Sequence, residues 1–293
     1  MKRLVLAYNP VSGHAAFKRK LDWIIKEFQK RDCMVIPYRT LRHNHHFYEF
    51  VRLAEPDGII AAGGDGTVHE IINLVMKHDI SLPVGIIGSG TSNDFATYLH
   101  INDDFDAYFD AIAEGSVRAV DLGRVGDEYF INVASAGMMT SIAHEVPSRL
   151  KNALGKFAYY LRGIGELPRM RSTEFRVQAD GKIYAFDGYL FVIVNSATVA
   201  SLRDVAPCAS IDDGKLDFLG IRKGNVAQLM RVGSELLAGH SVLENPHILH
   251  IQAKRFEVQA NTALESDLDG EAGPSLPLIV ETVPRAVQIF CFT

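Results

Sequence analysis

Apolar residues along the chain follow two rhythms, and the change falls near residue 125. Before it, short apolar runs alternate with stretches at helical spacing. Residues 3–8 (RLVLAY) read as a buried strand, followed by a loop at NPVSG. Phe17, Leu21, Ile24, Ile25 and Phe28 then recur on one helix face. Residues 33–40 predict a second strand, and Asn44 a helix cap for a segment through Leu53. Runs 58–62 and 84–87 predict two more strands, ending in GGDGT and GSGTSND, with Ile71, Ile72, Val75 and Met76 on a helix between them. Strand–loop–helix alternation of this kind implies a parallel sheet with helices on its faces.

Beyond residue 125 the period shifts towards two. Segments 129–134, 173–180, 183–194, 216–221, 249–258 and 277–282 predict strands, with an Asp-Gly turn at 180–181. Helical stretches near 152–167 and 225–238 interrupt them. The expected organisation is an α/β domain over residues 1–125 with a parallel sheet, then a mainly antiparallel β domain over 126–283.

Composition narrows the function. The chain has 293 residues, 47% of them hydrophobic, which supplies ample material for a core. A formal net charge of −5 argues against a general nucleic-acid binder, so no nucleic-acid partner is expected. Cys33, Cys208 and Cys291 are far apart and form no CxxC pair, which argues against a disulfide framework or a zinc site and fits a cytoplasmic compartment. No run approaches the ~18 apolar residues of a membrane span.

The chemistry concentrates in the loops. Gly63-Gly64-Asp65-Gly66-Thr67 lies where a strand meets a helix N-terminus. Glycines there allow close approach of a phosphate to backbone N–H groups, and the helix end favours an anion. The bland alternative is a tight turn that needs positive φ. An aspartate in such a loop repels phosphate unless it binds a sugar hydroxyl or a metal. Gly88 to Asp94 forms a second small-residue loop, in which Ser92, Asn93 or Asp94 could simply cap the next helix. NPVSG, from Asn9 to Gly13, is weak alone; all three loops should meet at the carboxyl edge of the sheet, where ligands of open α/β sheets bind.

NPVSG, GGDGT and GTSNDFA, in this order, resemble the diacylglycerol kinase catalytic domain and its relatives, the bacterial YegS-like lipid kinases. The segment 130–137 (FINVASAG), the stretch DDGKLD at 212–217, Asp269-Gly270-Glu271 and Pro284-Arg285-Ala286 extend the resemblance over nearly the whole chain. It implies a nucleotide-binding α/β domain, a β-rich substrate domain, and a final strand over 284–293 that returns to the first. It further implies an ATP- and Mg²⁺-dependent kinase that phosphorylates a lipid hydroxyl, with diacylglycerol as the leading acceptor and phosphatidic acid as product.

By the same resemblance, Asn9, Pro10, Val11, Ser12, Gly13, Thr40, Gly63, Gly64, Asp65, Gly66, Thr67, Val68, His69 and Thr91 contact the nucleotide. Asp65, Asp94 and Asp121 match acidic positions that organise Mg²⁺ through water, and Glu271 matches the proton acceptor. Ser210, Asp213 and the Lys215 carbonyl match a separate structural metal site. These roles are chemically coherent, since Mg²⁺ prefers oxygen ligands and phosphoryl transfer needs positioning and charge neutralisation. Unaided, Glu271 reads as a turn residue and Asp213-Gly214 as a hairpin turn. The expected partner is a lipid at the membrane surface, met peripherally, and a homodimer is compatible with the resemblance.

Three departures stand out. His69 occupies the usual place of Asn, Gly88-Ser89 replaces a proline-containing pair, and Ser201-Leu202-Arg203 stands where relatives carry glycines, which leaves lipid specificity open. His43, His45 and His46 lack a further ligand pattern and read as a solvated helix start. Arg149, Lys151, Lys156, Arg162, Arg169 and Arg171 are interleaved with apolar residues; this suits either a membrane-surface helix or one docked on the β domain. The alternatives are an NAD kinase, which also uses GGDG, and a nucleotide sensor without turnover.

Overall fold

The computed structural model describes residues 1–10, 16–41, 44–88, 93–137, 172–199 and 202–292. The expected helix near 152–167 and the basic residues from Arg149 to Arg171 lie outside the described residues, as do His43 and Ser201. The chain divides into two compact units, Met1–Val120 with Arg285–Thr293, and Asp121–Pro284.

In the first unit β1 (Lys2–Tyr8), β2 (Cys33–Arg39), β3 (Gly58–Gly63) and β4 (Val84–Gly88) are parallel, in the order β2-β1-β3-β4. Every residue of β3 and β4 is buried, which is why both read as unbroken apolar runs. The helices are α1 (Ala16–Gln29), α2 (Phe47–Ala54), α3 (Asp65–Lys77), α4 (Asp94–Tyr98) and α5 (Phe105–Glu114). Ile71, Ile72 and Val75 of α3 are buried, each side chain contributing about 1.5–3 kcal/mol of burial energy.

α1 packs on α5 through Phe28 against Phe109 and Trp23 against Phe105 and Phe109. Arg31 fastens the C-terminal end of α1 with bonds of 2.5 Å to Asp110 and 3.0 Å to Asp106. Asn44 does not cap α2 with its side chain. That side chain folds back on the Leu41 backbone (3.0 Å) and reaches Glu70, so a capping residue read from sequence is a link to α3 instead.

β5 (Val117–Val125) leads out of the first unit, and β15 (Leu278–Phe290) leads back, with Ile289 beside Val84. The second unit contains β6 (Glu128–Phe130), β7 (Val133–Gly137), β8 (Thr173–Ala179), β9 (Lys182–Val194), β10 (Leu216–Arg222), α6 (Val226–Leu237), β11 (Ile248–Ala253), β12 (Arg255–Ala260), β13 (Glu265–Leu268) and β14 (Glu271–Ser275). Among the described residues its strands pair antiparallel. The long β9 pairs with β8 through its first half, and with β7 and β10 through its second.

β8 alternates buried and exposed along its length, and its inner face joins a core of Phe175, Phe186, Phe191, Phe218 and Phe256. The Asp180-Gly181 turn has positive φ at both residues (44° and 85°), as a two-residue hairpin requires. The single strand expected over 249–258 is two strands, because Asp180 accepts the N–H groups of Lys254 and Arg255 (3.0 Å each) at a corner between them. Among the described residues no helix is long and apolar enough to cross a membrane.

Candidate active site

The order β2-β1-β3-β4 reverses direction between β1 and β3, the switch point where open α/β sheets bind ligands. Tyr8 is in register with Arg39 and Ala62, and Gly63 with Gly88, so the strands end level with one another. The loops from Asn9, from Gly63 and from Gly88 therefore leave one edge together. Asn9 is tied across the switch point, its N–H donating to the Ala62 carbonyl (3.0 Å). Pro10 is buried; Val11, Ser12, Gly13 and Thr91 lie outside the described residues. Thr40 is buried and donates both its N–H (2.9 Å) and its hydroxyl (3.2 Å) to the Tyr8 carbonyl.

GGDGT straddles the end of β3 and the first turn of α3. None of Gly63, Gly64 and Gly66 has positive φ, so the turn explanation for these glycines fails. Gly63 is required for another reason: a Cβ there would collide with the Thr67 side chain. Gly64 is the N-cap, and its carbonyl accepts the N–H of Thr67 (2.9 Å) and Val68 (3.2 Å). Thr67 and Val68 are buried. His69 points its ring at the Asn73 amide (3.3 Å), whose nitrogen also donates to the His69 carbonyl (2.9 Å).

The Asp65 carboxylate crosses to the next loop. It accepts the N–H of Asn93 (3.2 Å), the N-cap of α4, and of Asp94 (2.9 Å), its first residue. Asn93 makes no side-chain cap, so this helix is capped from the GGDGT loop rather than by its own sequence. One carboxylate thereby locks two candidate phosphate loops together and places Asp94, which is buried, beside Asp65.

In the second unit Asp121 is fully buried. Its carboxylate accepts the Gly214 N–H (2.6 Å), its N–H donates to the Ile211 carbonyl (2.6 Å), and its carbonyl accepts the Asn195 amide (2.8 Å). Asp121 is thus joined to the loop that carries Ser210, Asp213 and Lys215. Ser210 donates to Asp212 (2.8 Å), and Asp213 accepts the Lys215 N–H (2.9 Å) in an Asx turn. Asp213-Gly214 leads into β10 and is not the bend of a hairpin. Partial burial pushes the Asp213 carboxyl above its ordinary range; the charges of Asp217 and Asp121 add to this, against the lowering pull of the Lys215 N–H.

Glu271 is exposed at the first position of β14, paired with Leu268. Asp269 and Gly270 form the two-residue turn before it, with φ of 53° and 93°. Asp269 has a role that sequence reasoning missed. Its carboxylate accepts three successive N–H groups, from Ile131 (2.8 Å), Asn132 (2.9 Å) and Val133 (2.9 Å). The FINVASAG and DGE segments are therefore one unit of structure. Asn132 and Asn195 complete it: Asn132 donates to the Thr198 carbonyl (2.9 Å) and accepts from Ser196 (2.5 Å), and Asn195 donates to the Ile131 carbonyl (2.8 Å).

The diacylglycerol kinase catalytic domain matches residues 3–125, and the YegS C-terminal NAD kinase beta sandwich-like domain matches residues 132–291. The chain is 36% identical over 280 residues to the diacylglycerol kinase of Bacillus subtilis (strain 168), covering 94% of this chain and 92% of the relative. It is 33% identical over 291 residues to the diacylglycerol kinase of Staphylococcus aureus (strain JH9), covering 99% and 92%. A crystal structure of a diacylglycerol kinase from Bacillus anthracis str. Sterne superposes with a TM-score of 0.76 at 20% identity, covering 99% of this chain and 97% of that one. Fold and comparisons together define an ATP-dependent kinase that acts on a hydroxyl group. The chain belongs to the diacylglycerol kinase family.

Proposed function

We propose that the chain transfers the γ-phosphoryl group of ATP to the free hydroxyl of a membrane lipid, with diacylglycerol as acceptor and phosphatidic acid as product. The observation that carries the reading is the Asp65 carboxylate, which fastens the Gly63–Thr67 loop to Asn93 and Asp94 at the carboxyl edge of the parallel sheet. Relatives named diacylglycerol kinase, matched along almost the full chain, support the acceptor. A bilayer lipid requires the protein to visit the membrane surface. The nucleotide is assigned to Asn9 to Gly13, Thr40, Gly63 to His69 and Thr91. First-turn N–H groups of α3 and the positive end of its dipole favour phosphate there.

The acidic residues fit Mg²⁺. Asp65, Asp94 and Asp121 offer oxygen only, as a hard, water-retaining cation prefers. Beside Asp121, the buried Oδ1 of Asn195 has no hydrogen-bond partner among the described residues, an acceptor that the water of a hydrated cation would satisfy. Bound Mg²⁺ would supply neutralisation of phosphate charge. Asp65 and Asp94, both in the first unit, are the acidic positions assigned to it there. Ser210, Asp213 and the Lys215 carbonyl are assigned to a separate structural ion. Glu271, exposed and held by the Asp269-Gly270 turn, orients the acceptor hydroxyl and takes its proton as the new bond forms.

The test is label transfer from γ-labelled ATP with Mg²⁺ to lipids in mixed micelles, with NAD as a parallel acceptor. Labelled diacylglycerol that disappears in Glu271→Ala supports the reading. Label on NAD, or turnover unchanged in Glu271→Ala, sinks it.

A further inference from the structure

Three residues far apart in sequence meet at one end of the β10–β11 ladder. His250 Nε2 lies 2.6 Å from Asp217 Oδ1, Cys208 Sγ lies 3.3 Å from the same oxygen, and Sγ lies 3.6 Å from Nε2. The geometry points to a single-ion site for a borderline divalent cation of the zinc type, ligated by Cys208, Asp217 and His250 with a fourth position left to water.

Zinc bond lengths and a tetrahedral angle require ligand atoms about 3.4–3.6 Å apart. The sulfur–nitrogen edge (3.6 Å) already matches the upper end of that range, the sulfur–oxygen edge (3.3 Å) must open by about 0.2–0.3 Å, and the hydrogen-bonded nitrogen–oxygen edge (2.6 Å) must open furthest. A thiolate, a carboxylate and a neutral imidazole together carry two negative charges, which match a divalent ion. Sulfur and imidazole ligands select this class over Mg²⁺ or Ca²⁺. The site is distinct from the oxygen-only set of Ser210, Asp213 and Lys215.

The ligands are held before any ion arrives. Asp217 is opposite Gln252 and therefore diagonal to His250 on one sheet face. The next residues along that face, Leu219 and Ile248, join a buried cluster with Ala206 and Ala209. These two alanines seat the loop over the sheet and deliver Cys208 between them. Asp217 is buried, His250 half-buried and Cys208 exposed, which leaves an entry path on the thiol side. The second oxygen of Asp217 accepts from Gln252 (3.4 Å), an outer partner that orients the carboxylate. An occupied site would clamp the 206–215 loop to β10 and β11.

The experiment is Co²⁺ titration of the full chain in reducing buffer, with Mg²⁺ in excess to fill oxygen-only sites. Stoichiometric Co²⁺ should produce a thiolate-to-metal charge-transfer band that Zn²⁺ bleaches. Cys208→Ser and His250→Ala should abolish the band, whereas Cys33→Ser and Cys291→Ser should retain it. Gln252→Leu should weaken Zn²⁺ binding by about 10- to 100-fold. Absence of the band in the wild-type chain, or its survival in Cys208→Ser, overturns the assignment. Cys208 is exposed, so its serine variant should fold, and an unchanged melting transition in Mg²⁺ alone verifies that.

Discussion

Replacing Asp269 by alanine should destabilise the second unit far more than its position in a hairpin turn suggests. The side chain is buried, and its carboxylate accepts the N–H groups of Ile131, Asn132 and Val133. Three hydrogen bonds to a charged acceptor, at about 1.5 kcal/mol each, set the gross loss at about 4–5 kcal/mol. Water entering the space left by the carboxylate recovers part of this, so the expected net loss is about 3 kcal/mol. That is a large fraction of the ~5–15 kcal/mol that holds a typical domain folded. Asp269→Asn keeps an acceptor for Asn132 and Val133 but sets an amide against Ile131, and should cost about 1–2 kcal/mol. Urea unfolding gives the energies, and hydrogen exchange at residues 131–133 locates them. An alanine variant within about 0.5 kcal/mol of wild type, the range of an ordinary surface substitution, with unchanged exchange at those amides, would refute the reasoning.

Asp65→Ala should abolish kinase activity and also cost about 0.5–2 kcal/mol, because it removes the cap of α4; activity loss with no change in melting would disprove the capping half. Tyr108→Phe should cost about 1–3 kcal/mol, since the fully buried hydroxyl accepts the Ile86 N–H of β4 (2.9 Å), and calorimetry checks it. Asp213 titrates above the ordinary carboxylate value, so the folded state holds its proton longer and loses relative stability as pH rises through the raised value. With chelator present, Asp213→Asn should therefore raise the melting temperature near neutrality and leave it unchanged below the ordinary carboxylate range. A gain that persists at acid pH would contradict that sign.

The chain's periodicities were enough to establish its class. Unbroken apolar runs at 58–62 and 84–87 became fully buried parallel strands, and alternation over 173–180 became β8, because burial on two faces or one leaves different patterns. The capping box of α6, Asn225 with Gln228, also reads locally. α5 carries local signals too, an Asp104 cap and a left-handed Gly115. β13 and β14 were not legible, since ESDL and EAGPS carry too few apolar residues for a period to show.

What the tertiary structure alone decided is which polar groups meet. Asp65 capping α4, Asn44 reaching Glu70, Asp121 holding Gly214, and Asp269 binding residues 131–133 all join segments separated by loops or whole strands. So does the meeting of Cys208, Asp217 and His250, whose spacing matches no linear metal motif. Local preference is written in neighbouring residues, because backbone geometry repeats over a few positions. Partnership between distant carboxylates, amides and thiols is settled only when buried strands fix the register that carries them.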